Sequence, residues 1–181
     1  MQQDTNYHQL ARADISQLAQ IDRTEIINGI YTWRDGALVL ADEQYPVPDW
    51  SIAEKQHRVQ NLETLFDTGA SFFGAFNQDV LVGLSVLDHR PIKTGNKRLN
   101  LEGLWVSHTF RGKGVGHKLF HLAAEAALEH GASAMYVSAT PSKHTVDFYM
   151  RLGCQPAQPI DPDLLTKEPE DIHLELVLTR F

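Results

Sequence analysis

Cysteine is nearly absent: Cys154 is the single one among 181 residues. No intrachain disulfide can form, which fits a reducing compartment. Long apolar runs are also missing. No stretch approaches the roughly 18 consecutive apolar residues of a membrane span. The opening "MQQDTNYHQLARADISQLAQ" lacks the apolar core of a secretory signal. The chain therefore reads as soluble and cytoplasmic, with no membrane partner. Positive charge is scarce, with 16 Lys and Arg against 23 Asp and Glu and a net charge of -7. A nucleic-acid partner wants a basic face, so none is expected. An acidic surface instead favours a cationic ligand, and a small basic pocket for an anion stays compatible with it. Repeats, low-complexity runs and linkers are absent as well. Residues 1–181 read as one domain, and 43% hydrophobic residues suffice for a core.

What is present is an ordered series of patterns. A short strand is expected around Tyr7 to Ala11. Helical spacing of Ile15, Leu18, Ile21 and Ile26 predicts a first helix, started by Asp14 and ended by Asn28-Gly29. "GIYTWRDGALVLADEQYPVPDW" reads as an irregular, aromatic-rich loop, either a packed satellite or a binding wall. Ser51 and Glu54 have capping-box spacing ahead of a second helix that Gly69 stops. Two strands around Asn77-Gln78-Asp79 and a third, "RLNLEGLWVS", after the "TGN" turn signal predict an antiparallel meander. A helix from Gly112 to His130, buried through Leu119, Leu122, Ala123, Ala126 and Ala127, is followed by the strand "SAMYVSAT". Then come the helix "SKHTVDFYMRLG" and a last strand, "DIHLELVLTR". The order predicts a mixed sheet flanked by helices.

The least ordinary stretch is "FRGKGVGHKLF", Phe110 to Phe120, with three glycines at the mouth of a helix. A helix N-terminus offers unpaired N–H groups and the positive end of the macrodipole, and its natural guest is a phosphate. Arg111 and Lys113 would add charge. Two phosphate loops are excluded by counting. Walker A needs its second glycine where His117 stands, and the dinucleotide fingerprint needs G-x-G-x-x-G where the chain has Gly112-x-Gly114-x-Gly116.

Between an apolar strand and an amphipathic helix, Arg111-Gly112-Lys113-Gly114-Val115-Gly116 satisfies R/Q-x-x-G-x-G/A. With "LEGLWV" before it and Phe148-Tyr149 followed by Gly153-Cys154 after it, the chain resembles the GNAT superfamily of acyl-CoA-dependent N-acyltransferases. The resemblance implies the GNAT α/β (α+β) fold, a mixed, mostly antiparallel sheet with splayed strands flanked by helices. It implies acetyl-CoA as co-substrate, with the pyrophosphate held by Arg111, Gly112, Lys113, Gly114, Val115 and Gly116. The pantetheine arm would pair with Leu104, Trp105 and Val106. Ser142 and Lys143 stand where many members carry Asn, and Ser142 is taken as a further cofactor contact. Cys154 replaces the family's closing Phe.

The implied reaction moves an acetyl group from a thioester to an amine, by direct attack in a ternary complex. An alkylammonium has a pKa near ~10.4 and must lose a proton before it attacks. Glu102 is the candidate base. Strand alternation would place it on one face with Leu104 and Val106; substrate binding or pairing with Arg98 or Arg151 are its other possible roles. Tyr149 is the candidate acid for the departing sulfur, matching a tyrosine that many members place there. Glu25, Tyr31, Trp33 and Asp35 fall where the family forms a wall of the acceptor pocket. Acidic and aromatic groups together suit an ammonium. The acceptor is expected to be a small-molecule amine, and a homodimer is compatible with the family. "VSHTFRGKGVGHKL" and "LEGLWV" look like segments of streptothricin and aminoglycoside acetyltransferases respectively. A protein or peptide N-acetyltransferase, a non-catalytic acyl-CoA sensor and a nucleotide-phosphate binder are the alternatives. No metal is expected: His117, His121 and Glu125 share a helix face, but H-E-x-x-H is absent. Cys154 reads as a buried thiol, and "KEPEDIH" as a solvated loop that would attract a cation if it reached the substrate side.

Overall fold

A computed structural model describes residues 5–95 and 97–179. Asn96, the last residue of the "TGN" signal, lies outside the described residues. Strands and helices are numbered in chain order. The expected meander is β4 (Ser71–Asn77), β5 (Val80–Pro91) and β6 (Arg98–Val106), each antiparallel to the next. Gln78, at φ 55°, makes the turn between the first two. The strand β1 (Thr5–Gln9) pairs with β4, while β7 (Ala134–Ala139) lies parallel to β6. The strand β9 (Ile172–Val177) then runs antiparallel to both β7 and the two-residue β8 (Gln155–Pro156). The seven-stranded sheet has the order β1-β4-β5-β6-β7-β9-β8.

Helices cover both faces. On one lie a 3-10 helix, Arg12–Gln20, and α1 (Ile52–Asp67), whose N-terminus carries the Ser51/Glu54 capping box. Ile15, Leu18, Trp50 and Leu62 pack there with Phe72, Leu84 and Val86. The other face takes α2 (Val115–Glu129) and α3 (Lys143–Arg151). Phe120, Ala123, Ala127, Val146 and Tyr149 meet Leu87, Leu99, Leu101, Met135 and Leu174. Leu122, expected in the buried stripe of α2, is only half-buried, and Phe120 and Ala124 are buried instead. Burial of each large side chain contributes about 1.5–3 kcal/mol. Gly83 lets α2 sit close, since a Cβ there would lie 2.9 Å from Leu119. No described helix is long and apolar enough to cross a membrane.

Two sequence expectations are corrected. The first helix ends at Gln20, and Ile26 lies exposed on a strand. The helical spacing of its isoleucines was shared by two different elements. The aromatic "loop" is a β-hairpin, β2 (Glu25–Arg34) and β3 (Ala37–Val47). Its turn is Asp35-Gly36, with φ of 50° and 81° at the two central residues, the left-handed pair that suits a hairpin. Asn28-Gly29 is not a helix stop but the site of a register shift in that hairpin. The segment before the last strand also contains a short helix, α4 (Pro162–Lys167), capped by Asp161.

Candidate active site

The parallel pair β6 and β7 is in register only from Arg98/Ala134 to Asn100/Tyr136. Past Asn100 the strands part, and β7 continues against β9 alone. The edge of β6 from Leu101 to Val106 thus lines a gap in the sheet. Its open groups follow from strand alternation. The N–H of Ser107 bonds to Val82 on β5, while the Val106 carbonyl turns the other way and accepts from Arg111 Nε at 3.0 Å. The peptide groups of Leu104 and Val106 therefore face the gap, and those of Trp105 face β5. Trp105 thus turns its peptide groups away from the gap. Its backbone pairs with Leu84, and its ring packs edge-on against Trp50 at 5.8 Å.

The gap ends at the glycine segment. Gly112 and Gly114 have φ of 72° and 84°, and the space where a Cβ would stand is open at both. Gly114 is the N-cap of α2, and among the described residues no side chain caps the helix. The first intrahelical bond runs from Lys118 N to Gly114 O, which leaves the N–H groups of Val115, Gly116 and His117 without helical acceptors. Gly116 has a different reason: a Cβ there would press to 3.3 Å from Phe148. Exposed Lys113 stands 5.2 Å over the Phe110 ring. This uncapped, cation-flanked cradle fits a pyrophosphate. Arg111 does not serve it in the expected way. Its guanidinium is turned inward to the Val106 carbonyl, the Arg23 carbonyl at 3.0 Å and the Glu25 carboxylate at 3.1 Å.

The four expected acceptor-wall residues are not brought together. Glu25 is spent on Arg111. The Tyr31 hydroxyl donates to Asp147 at 3.0 Å, and Tyr31 N bonds to Pro141 O. Trp33 lies beside Gln155, Pro156 and Glu175, and exposed Asp35 forms the hairpin turn. The cause is the hairpin itself: ten extended residues spread side chains over roughly 30 Å. Ser142 is buried and committed to its own helix, accepting from Thr145 N and donating to Thr145 Oγ1.

Glu102 occupies a β-bulge. The register with β5 shifts between Val86/Gly103 and Leu87/Leu101, leaving Glu102 as the extra residue. The bulge breaks the expected alternation, so Glu102 does not share a face with Leu104 and Val106. It shares one with Asn100, whose Nδ2 donates to Glu102 Oε2 at 3.0 Å. Its other oxygen meets Lys167 Nζ at 2.7 Å, so neither Arg98 nor Arg151 is its partner. Arg98 instead pairs with Glu175, both nearly buried. The "KEPEDIH" segment therefore reaches this side. Burial, reinforced by Glu168 and Glu170, pushes the Asp171 carboxyl up to about 6. Asn100 was missed because a neutral polar residue inside a strand gives no sign of its neighbours, while Lys167 and Asp171 lie in the "KEPEDIH" segment whose direction the sequence left open.

Tyr149 is buried against Phe120 and Phe148, and burial, followed by the nearby Cys154 and Asp171, raises its phenol. Among the described residues no hydrogen bond holds its hydroxyl. Burial also pushes the Cys154 thiol up to about 12, the mark of an inert thiol rather than a nucleophile. The His117 and His121 rings lie 4.4 Å apart, and no group of three or more potential metal ligands occurs among the described residues.

A gap between parallel strands, closed by an uncapped glycine-rich helix start, is the arrangement that the sequence resemblance implied. The model of the acetyltransferase (GNAT) family matches residues 29–154. This chain belongs to the GNAT family. Solved GNAT folds superpose over nearly its whole length. Nourseothricin acetyltransferase gives a TM-score of 0.70 at 19% identity, covering 97% of this chain and 99% of that one. A Bacillus anthracis str. Ames protein described as a streptothricin acetyltransferase, solved with acetyl coenzyme A, gives 0.64 at 15%, covering 98% and 99%. The ribosomal-protein-S18-alanine N-acetyltransferase of Escherichia coli gives 0.61 at 13%, covering 98% and 96%. Comparison with curated proteins by sequence finds no match. As a GNAT acetyltransferase the chain is an acyltransferase, and the strand gap and glycine loop are its GNAT features.

Proposed function

We propose that this GNAT chain transfers the acetyl group of acetyl-CoA to a primary amine of a small molecule, by direct attack in a ternary complex. The observation that carries this reading is the open edge of β6, running from Glu102 at the fork to the uncapped start of α2. Bound acetyl-CoA supplies the activated thioester. The N–H groups of Val115, Gly116 and His117, with Lys113, receive its pyrophosphate. Arg111 fastens the loop from behind by clasping Val106, Arg23 and Glu25. The N–H groups of Leu104 and Val106 face the gap, where they stabilise an oxyanion as charge develops. Glu102 takes the proton of the acceptor ammonium, directly or through water. Tyr149, kept as the neutral phenol by burial, donates to the departing sulfur.

A cationic small acceptor is favoured by the net charge of -7 and by the carboxylates near the fork, Glu102, Glu168 and Asp171. Antibiotic acetyltransferases among the structural neighbours support the same class. The test is thiol release from acetyl-CoA with nourseothricin, spermidine, L-lysine and an alanine-initiated peptide, together with calorimetry of CoA against ATP. CoA is expected to bind more tightly than ATP, and a small amine to drive thiol release. Release with the peptide alone would make the chain a peptide acetyltransferase. Tight CoA binding with no release would make it a sensor.

A further inference from the structure

Asn100 is 6% exposed, and its Oδ1 has no hydrogen-bond partner among the described residues. The contact with Glu102 fixes which end of the carboxamide is which, because only the NH2 end can donate to a carboxylate. A buried carbonyl oxygen without a donor is costly. This one sits at the fork, since Asn100 is the last β6 residue in register with β7. Beside it the Glu102 carboxylate is held by Asn100 on one oxygen and by Lys167 on the other.

Lys167 is not needed there by its own helix. It is the last residue of α4, whose cap is made by Asp161 accepting from Asp163 N and Leu164 N. Its side chain is 53% exposed. It reaches Glu102 across 65 residues of sequence and also feels the carboxylates of Glu168 and Asp88. An unbranched four-carbon stem thus already delivers a primary ammonium to the proposed base.

We propose that Glu102 and the Asn100 carbonyl form a subsite for a terminal alkylammonium, a primary amine at the end of an unbranched aliphatic chain, and that Lys167 occupies its Glu102 side as a tethered surrogate, leaving the Asn100 carbonyl unsatisfied until the acceptor displaces it. The inference rests on the acceptor reading above and narrows it. An amine on a flexible chain fits the subsite, as the Lys167 stem does.

Lys167→Ala removes the surrogate and leaves room for free n-propylammonium, the severed end of the lysine side chain. Thermal melts with n-propylammonium chloride, against sodium chloride at equal ionic strength, read binding without any acetyl transfer. Lys167→Ala is expected to gain a saturable rise of about 4 °C at roughly ten times Kd. Wild type, where Lys167 competes by about fivefold, should gain about half of that over the same range, and Glu102→Gln/Lys167→Ala should gain none. Lys167→Ser replaces the alanine variant if that variant fails to fold. An equal response in wild type and Lys167→Ala, no response in either, or a response that survives Glu102→Gln would each overturn the proposal. In turnover, Lys167→Ala should lower KM for the productive amine up to about fivefold, the ratio set by a half-exposed ion pair. KM for acetyl-CoA should not change; an unchanged amine KM would also overturn it. The melts involve no acetyl-CoA, so their failure is separable from failure of the thiol-release assay.

Discussion

Replacing Tyr149 with Phe removes one oxygen and leaves the ring in place. The ring's neighbours, Phe148 at 5.1 Å and Phe120 at 5.8 Å between centroids, are kept. No hydrogen bond among the described residues is lost. Stability should change by less than about 1 kcal/mol, and the melting temperature by less than about 4 °C. The hydroxyl matters for proton transfer instead. Burial raises the phenol, so it stays protonated throughout the neutral range. A positioned acid contributes about 10²–10⁴ in rate, or about 3–5 kcal/mol of barrier. Thiol release under saturating acetyl-CoA and the productive amine should therefore fall about 100-fold or more. The Kd for CoA by calorimetry should stay within about twofold. The buried phenol stays protonated up to pH 9, so the deficit should hold across that range. If the variant keeps full kcat from pH 6 to 9, the acid assignment is refuted and Tyr149 is only a packing residue.

Glu175→Gln strands the Arg98 guanidinium, whose side chain is 4% exposed, and should cost about 3–5 kcal/mol, read as a large drop in melting temperature. Gly114→Ala places a Cβ on a residue at φ 84°, with open space around it, so only backbone strain of about 1–2 kcal/mol is expected. A far larger loss in a urea titration would contradict that. Asp171 carries a sign that can be checked. Its folded-state pKa of about 6 lies above the ordinary ~3.9. Between those values the folded chain holds a proton that the unfolded chain has released, and stability falls as pH rises through the window. Asp171→Asn should therefore raise the melting temperature at pH 7.5 and change it little at pH 4.

The glycine segment was legible because its constraint is local. Left-handed backbone at Gly112 and Gly114, and the contact of Gly116 with Phe148, leave their mark in residue type. The meander was legible for a similar reason, since alternation and turn residues are properties of neighbours in sequence. The hairpin was missed although Asp35-Gly36 is a strong turn signal, because its aromatics and prolines drew the reading toward an irregular loop. Glu102 was found, but its face was not. One extra residue in β6 reverses the alternation, and nothing in "LNLEGLW" marks the bulge apart from Gly103, where a Cβ would lie 2.1 Å from the Trp105 ring. Arg111 matches the motif while its guanidinium points to the protein, because spacing reports backbone shape and not where a long side chain goes. Partners 65 residues apart, such as Lys167 and Glu102, leave no local trace.

The sheet is joined across its middle by three register pairs, Arg98/Ala134, Leu99/Met135 and Asn100/Tyr136. The helix α2 packs on strands from both sides of that seam, β4, β5 and β6 on one and β7 on the other. It meets them through small residues, Ala123, Ala126 and Ala127 among them. The width of the opening is therefore a tolerance held by a clamp, with alanine side chains as its thinnest shims. Thickening one would lift the clamp and widen the jaw from a distance, altering the grip on a ligand without touching it.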